Sequence, residues 1–120
     1  MANNDSSKYQ IRPWGNFETI YECQLYKVKN ITVSSHCRTS YQFHLYRSEH
    51  LIIVSGSATV KVEDREILLK KGEHMFIDIG TKHRITNCSG VPLKIVEIQQ
   101  GSIICEEDIV RIEDDYGRVG

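Results

Sequence analysis

Residues 42–56 read Gln42-Phe43-His44-Leu45-Tyr46-Arg47-Ser48-Glu49-His50-Leu51-Ile52-Ile53-Val54-Ser55-Gly56. Gln42 and His44 are two apart, so on an extended strand both side chains leave the same face. A four-residue loop then brings Glu49 to the head of an apolar run, residues 51–54, which stops at the turn signal Ser55-Gly56. That run is apolar on both faces, the pattern of a strand buried between two sheets or covered by a second subunit. A second segment answers the first: Gly72, then Asp78-Ile79-Gly80-Thr81-Lys82-His83, ending at Asn87. Gln42, His44, Glu49 and His83 together offer a neutral carbonyl oxygen, two imidazoles and one carboxylate. That mixed set suits a divalent cation and leaves room for substrate oxygens.

The flanking sequence predicts short strands. Ala58, Val60 and Val62 alternate with Thr59, Lys61 and Glu63, and Met75, Ile77 and Ile79 repeat the pattern, as do Leu93 and Ile95. Turn residues at Glu63-Asp64-Arg65, Lys71-Gly72-Glu73 and Ser89-Gly90-Val91-Pro92 recur at intervals of roughly 8–12 residues, which favours an all-β domain. Sheets closed into a jelly-roll barrel would turn every second residue inward, carrying both half-sites into one interior. Residues 106–111 predict a short C-terminal helical tail. Residues 1–8, small and polar, read as a flexible N-terminal arm ahead of a single domain over 9–120.

Composition narrows the function classes. With 40% apolar and 26% charged residues the chain is ordinarily globular, and a net charge of -1 argues against broad binding to nucleic acid or an anionic membrane. No stretch approaches the roughly 20 apolar residues of a membrane span, and the start MANNDSSK has no signal-peptide order, so a cytoplasmic location is expected. Cys23, Cys37, Cys88 and Cys105 form no CxxC pair, which disfavours a disulfide framework or a cysteine-rich zinc site. His36, His50 and His74 have weaker claims as ligands than His44 and His83: His50 directly follows Glu49 and on a continuous strand faces the other way, and His74 beside Gly72 reads as part of a solvated turn. No Gly-rich phosphate loop precedes a helix.

The spacing Gln42-x-His44-x4-Glu49-x6-Gly56 resembles the first cupin motif, with Gln in place of a first His. Gly72-x5-Asp78-x-Gly80-x2-His83-x3-Asn87 resembles the second, with Asp78 where Pro is usual. Arg12-Pro13-Trp14-Gly15 near the start and Glu113-Asp114-Asp115-Tyr116-Gly117-Arg118 near the end narrow the likeness. It then points to the C-terminal cupin domain of type II phosphomannose isomerases. The resemblance implies a cupin-type double-stranded β-helix and a metal-dependent interconversion of mannose 6-phosphate and fructose 6-phosphate. It further implies one divalent ion on Gln42, His44, Glu49 and His83, with zinc first and cobalt, manganese, nickel or iron as alternatives. A homodimer is expected, as in many cupins.

Isomerisation of this kind needs a base that shuttles a proton and a cation that holds the phosphate. Glu97 shares strand parity with Leu93 and Ile95 and is one candidate base, and His50 is its competitor. Arg111 is the third catalytic candidate, and Lys82, Arg47 and Arg111 are the substrate contacts. Three residues depart from the family pattern: Tyr46 stands where a second His is usual, Leu51 where a Trp is usual, and His36 where a Gly opens the first motif. The nucleotidyltransferase domain that commonly precedes this cupin is not within these 120 residues. The alternatives are therefore an isomerase or epimerase for another sugar, and a non-catalytic cupin binding a sugar phosphate or nucleotide sugar. An iron-dependent oxygenase is less attractive, because such sites favour two His and a carboxylate without an amide ligand.

Overall fold

A computed structural model describes residues 8–120, so the arm expected over residues 1–8 lies, apart from Lys8, outside the described residues. Eleven strands follow in order: β1 (Tyr9–Arg12), β2 (Gly15–Glu22), β3 (Tyr26–Val33), β4 (Tyr41–Phe43), β5 (Arg47–Ser55) and β6 (Ser57–Val62). Then come β7 (Arg65–Lys70), β8 (His74–Ile77), β9 (His83–Thr86), β10 (Leu93–Gly101) and β11 (Val110–Glu113). They form a six-stranded sheet, β1-β2-β3-β10-β5-β8, and a five-stranded sheet, β11-β4-β9-β6-β7. Every named pairing is antiparallel.

The core between the sheets follows the alternation in the sequence. Leu93 and Ile95 on β10, Leu51 and Ile53 on β5, and Ala58 and Val60 on β6 are each at most 1% exposed. Truncating one of these Leu or Ile side chains to Ala removes about 2–5 kcal/mol of stability. The apolar run of residues 51–54 divides by parity: Leu51 and Ile53 enter the core, while Ile52 is half-buried and Val54 exposed on the outer face. The alternation of Met75 and Ile77 stops at Ile79, which lies exposed in the turn after β8. His74, expected in a turn, opens β8.

Two features of the expected architecture are overturned. Among the described residues no hydrogen-bonded ladder joins the two sheets, so they face each other through side chains and do not close into a barrel. The five-stranded sheet ends at the edge strands β11 and β7, and among the described residues neither carries a ladder to the six-stranded sheet. The C-terminal tail is not helical either. Residues 106–107 form a turn, Asp108 is buried, and β11 pairs with β4. The Asp108 carboxylate accepts the backbone N–H groups of Leu45 (2.7 Å) and Tyr46 (3.0 Å), an anchorage a helix in this segment could not provide.

The acidic segment from Glu113 onward fastens the tail. Glu113 pairs with Arg84, and Asp115 makes a bidentate pair with Arg38 at 2.7 and 2.8 Å. Asp114 is bound by Arg118 at 2.8 and 3.0 Å, and that hydrogen bonding pulls its carboxyl down to about 2. Asn87 ties loops together from a fully buried position, its amide donating to Val33, Ser34 and Val91 carbonyls. All four cysteines are free. No helix of the described residues is long and apolar enough to cross a membrane.

Candidate metal centre and its cavity

His44, Glu49 and His83 converge from three places in the chain. Glu49 is the third residue of β5 and points inward, His83 opens β9, and His44 lies one residue beyond β4. All three are buried, with exposures of 2%, 3% and 1%. Their candidate ligand atoms lie within 4.8 Å of one another. Glu49 Oε1 is 3.1 Å from His83 Nε2, and Glu49 Oε2 is 3.3 Å from His44 Nε2.

Both imidazoles are fixed from behind. His44 Nδ1 lies 2.7 Å from the Asp108 carbonyl, and His83 Nδ1 lies 2.9 Å from the Thr81 carbonyl. A carbonyl oxygen only accepts, so each Nδ1 carries the proton and each Nε2 faces Glu49. This is the arrangement that orients histidines as metal ligands. Two Nε2 atoms and a carboxylate turned toward one point form a donor set that fits a divalent cation.

The electrostatics are those of a tightly coupled cluster. Burial acts to raise the Glu49 carboxyl, but the hydrogen bonds and charge of His44 and His83 hold it well below the usual range. Burial likewise acts to lower His83, and the Glu49 hydrogen bond and charge raise it instead. Arg47, 5% exposed, donates through Nε to Glu49 Oε2 at 3.2 Å and through Nη1 to the Cys105 carbonyl at 2.8 Å.

Glu49 and Gln42 open onto a cavity whose wall also includes Arg47, Glu97, Gln99 and Arg111. Gln42 sits opposite His83 in the strand register and accepts a hydrogen bond from Ser40 Oγ at 2.5 Å. Glu97 is 5% exposed; burial first, then the negative charge of Glu49, push its carboxyl up to about 7. Lys29, Arg47 and the Gln99 hydrogen bond act the other way. Arg111 shares the cavity with Arg12 and Arg118, and burial together with the charge of Arg118 lowers its pKa.

Among the sequence-predicted residues, Gln42, Glu49, Arg47, Glu97 and Arg111 line this cavity, and His44 and His83 join it through Glu49. His50 and Lys82 are not brought there. His50 follows Glu49 on β5 and projects from the opposite face, where its Nε2 meets His74 Nδ1 at 3.1 Å. Lys82 is exposed. Tyr46 is 46% exposed on the loop before β5 and takes no part in the wall, while Leu51 is a core residue. His36 adopts φ +57°, the left-handed conformation that explains why a Gly would suit its position. Trp14 packs against the core and also borders the cavity.

Sequence reasoning missed Lys29, Gln99, Glu106 and Asp108. Lys29 is 3% exposed, pairs with Glu106, and lies 4.0 Å above the Phe17 ring. It shares parity with Ile31 and Val33, so a lysine on the inward face of β3 was the available signal. Gln99 has the parity of Leu93, Ile95 and Glu97, and the same count would have found it.

A family model described as mannose-6-phosphate isomerase C-terminal matches residues 2–114. The Pseudomonas aeruginosa alginate biosynthesis protein AlgA is 43% identical over 107 residues, covering 89% of this chain and 22% of that protein. A Klebsiella pneumoniae mannose-1-phosphate guanylyltransferase is 37% identical over 123 residues, covering 98% and 26%. The chain thus spans about a quarter of the length of these curated relatives. Among solved structures, Lactobacillus farciminis oxalate decarboxylase superposes with a TM-score of 0.75 at 19% identity, over 88% of this chain and 33% of that one. KdgF from Halomonas gives 0.73 at 13% identity, over 82% and 92%. These two likenesses concern the fold.

Proposed function

This chain is a cupin domain belonging to the mannose-6-phosphate isomerase C-terminal family, and from that premise we propose that it is a metal-dependent isomerase interconverting mannose 6-phosphate and fructose 6-phosphate. The observation that carries the reading is the sharing of one cavity by Glu49 of the buried triad and by Glu97, a buried carboxyl with a pKa of about 7. His44, Glu49 and His83, with the Gln42 amide oxygen as a fourth donor, would hold the cation, zinc first among the candidates. When bound, a divalent ion supplies stabilisation for negative charge that develops on the substrate oxygens.

The chain's own residues supply the rest. Glu97 takes the proton from C2 of the open-chain aldose to give an enediolate and returns it to C1, while the O2 hydroxyl proton passes to O1; the reverse reaction exchanges these positions. A carboxyl whose pKa lies near the working pH is suited to both halves of that transfer. Arg111, with Arg12 and Arg118 beside it, holds the phosphate at the cavity mouth. Arg47, donating to Glu49 Oε2, orients that carboxylate. His50 is set aside as the base, because it faces away from the cavity.

Proton transfer through Glu97 predicts exchange with solvent. Mannose 6-phosphate turned over in deuterium oxide by the zinc-loaded chain should give fructose 6-phosphate that carries deuterium at C1, read by proton NMR. Absence of turnover with zinc, cobalt or manganese would refute the isomerase. Turnover without any deuterium at C1 would instead remove Glu97 as an exchanging base.

A further inference from the structure

Gln99 is 1% exposed, lies on β10 directly across from Glu49 in the β10–β5 register, and borders the cavity. Its amide nitrogen donates to Glu97 Oε1 at 2.7 Å. Above about pH 7, where Glu97 is ionised, its oxygens only accept, so the amide nitrogen faces Glu97 and the amide oxygen is turned elsewhere. That oxygen, although buried, has no hydrogen-bond partner among the described residues. Among the described residues, the only other buried side-chain polar atom left without a partner is Arg111 Nε, on the wall of the same cavity.

The two orphaned atoms have opposite requirements. Gln99 Oε1 needs a hydrogen-bond donor, and the Arg111 guanidinium needs an acceptor, best an anion. Leaving a buried polar group unpaired is unfavourable by about 1–3 kcal/mol, so a ligand that satisfies both atoms gains from each. Such a ligand carries a hydroxyl at its Gln99 end and an anionic group at its Arg111 end.

We propose that Gln99 is a substrate-positioning residue: its Oε1 accepts a hydrogen bond from a hydroxyl of a polyol phosphate, while its Nε2 orients Glu97. The hydroxyl contact and the base are thereby carried on one strand, two residues apart. The inference rests on the sugar-phosphate reading for its ligand class, but it requires only binding and not turnover.

The test uses D-mannitol 1-phosphate, a polyol phosphate without a carbonyl to isomerise, and inorganic phosphate as the control lacking carbon-bound hydroxyls. In calorimetry on the zinc-loaded 120-residue chain, the polyol phosphate should bind more tightly than inorganic phosphate. Gln99→Met keeps the volume and removes the acceptor. It should weaken polyol phosphate binding about tenfold or more, with phosphate affinity and zinc content unchanged. Equal loss for both ligands, or no loss for either, would overturn the proposal. Wild-type protein that binds neither ligand would overturn it as well.

A second measurement needs no variant. In nitrogen-15-labelled wild type, the Gln99 side-chain amide resonances should shift with mannitol 1-phosphate and stay in place with inorganic phosphate. Unmoved resonances with a saturating polyol phosphate would refute the contact even if Gln99→Met fails to fold. Polyol phosphate binding through Gln99 without isomerase activity would leave this contact standing and remove only the isomerase. Turnover that Gln99→Met leaves untouched in both kcat and KM would do the reverse.

Discussion

The Asp108 carbonyl accepts the Nδ1 proton of His44 at 2.7 Å, a contact that spans 64 positions of the chain. The same residue's carboxylate takes the backbone N–H groups of Leu45 and Tyr46. A single residue of the C-terminal tail thus holds both the ring of a candidate ligand and the loop that carries it. Asp108→Ala leaves two backbone donors without their acceptor and frees the segment that supplies the carbonyl. The expected loss is about 2–4 kcal/mol in denaturant unfolding, with zinc affinity lowered about 10–100-fold in a chelator competition. Asp108→Asn retains one acceptor oxygen and should fall between the two. Unchanged zinc affinity in a destabilised Asp108→Ala chain would separate the tail from the metal centre.

Glu97 makes the sharpest pH-dependent prediction. Its folded pKa of about 7 stands above the ordinary 4.5, so the folded chain keeps a proton that the unfolded chain has released. Its contribution to stability is therefore full below about pH 4.5 and is lost as pH rises through 7. Glu97→Gln, which cannot ionise, should stabilise the metal-free chain at pH 8 by about 1–3 kcal/mol and leave it little changed at pH 4.5. The same variant should lower kcat about 10²–10⁴-fold. Parallel urea unfolding at the two pH values, with the isomerase assay, tests both halves.

Arg111 should separate substrate binding from chemistry. Arg111→Ala removes a guanidinium whose Nε has no partner among the described residues, so little stability is lost with it. KM for mannose 6-phosphate should rise about 10–150-fold, the equivalent of one charge-assisted hydrogen bond, with a smaller change in kcat. An effect on kcat alone would place Arg111 at the reacting carbons and not at the phosphate.

His36 offers a test in the opposite direction, since it adopts φ +57° where L side chains are strained. His36→Gly should raise stability by up to about 1 kcal/mol, the relief of the left-handed strain offset in part by the greater freedom of unfolded Gly. Thermal unfolding would show it. A loss of stability would mean that the His36 ring beside Gly90 contributes more than the strain removes.

What the sequence made legible follows from which interactions are local. His44 and Glu49 lie within six positions of each other, and parity along short strands predicts which face each leaves. Glu97 was legible by the same count along β10, and so was Gln99, one step further on the same face. The open sandwich and the tail were not legible. Residues 106–111 carry a weakly helical pattern, but the buried carboxylate of Asp108 finds its donors on a loop 62 and 63 positions away, and that pairing decides the conformation. Closure of the sheets depends on what the edge strands β11 and β7 pair with, which no local pattern encodes. The departure at Tyr46 loses its weight for a similar reason, because its side chain is on the exposed loop and outside the cavity.

The central claim is that the buried triad holds a metal on which sugar-phosphate isomerisation depends. The direct measurement is a coupled assay of fructose 6-phosphate formation from mannose 6-phosphate, run on the zinc-loaded chain, after chelation, and after zinc is restored, with His83→Ala and Glu49→Ala alongside. The account predicts turnover that chelation abolishes and zinc restores, and variants that retain neither zinc nor activity. Turnover that persists in the chelated chain, or zinc bound stoichiometrically to the double variant of His83 and Glu49, would contradict it.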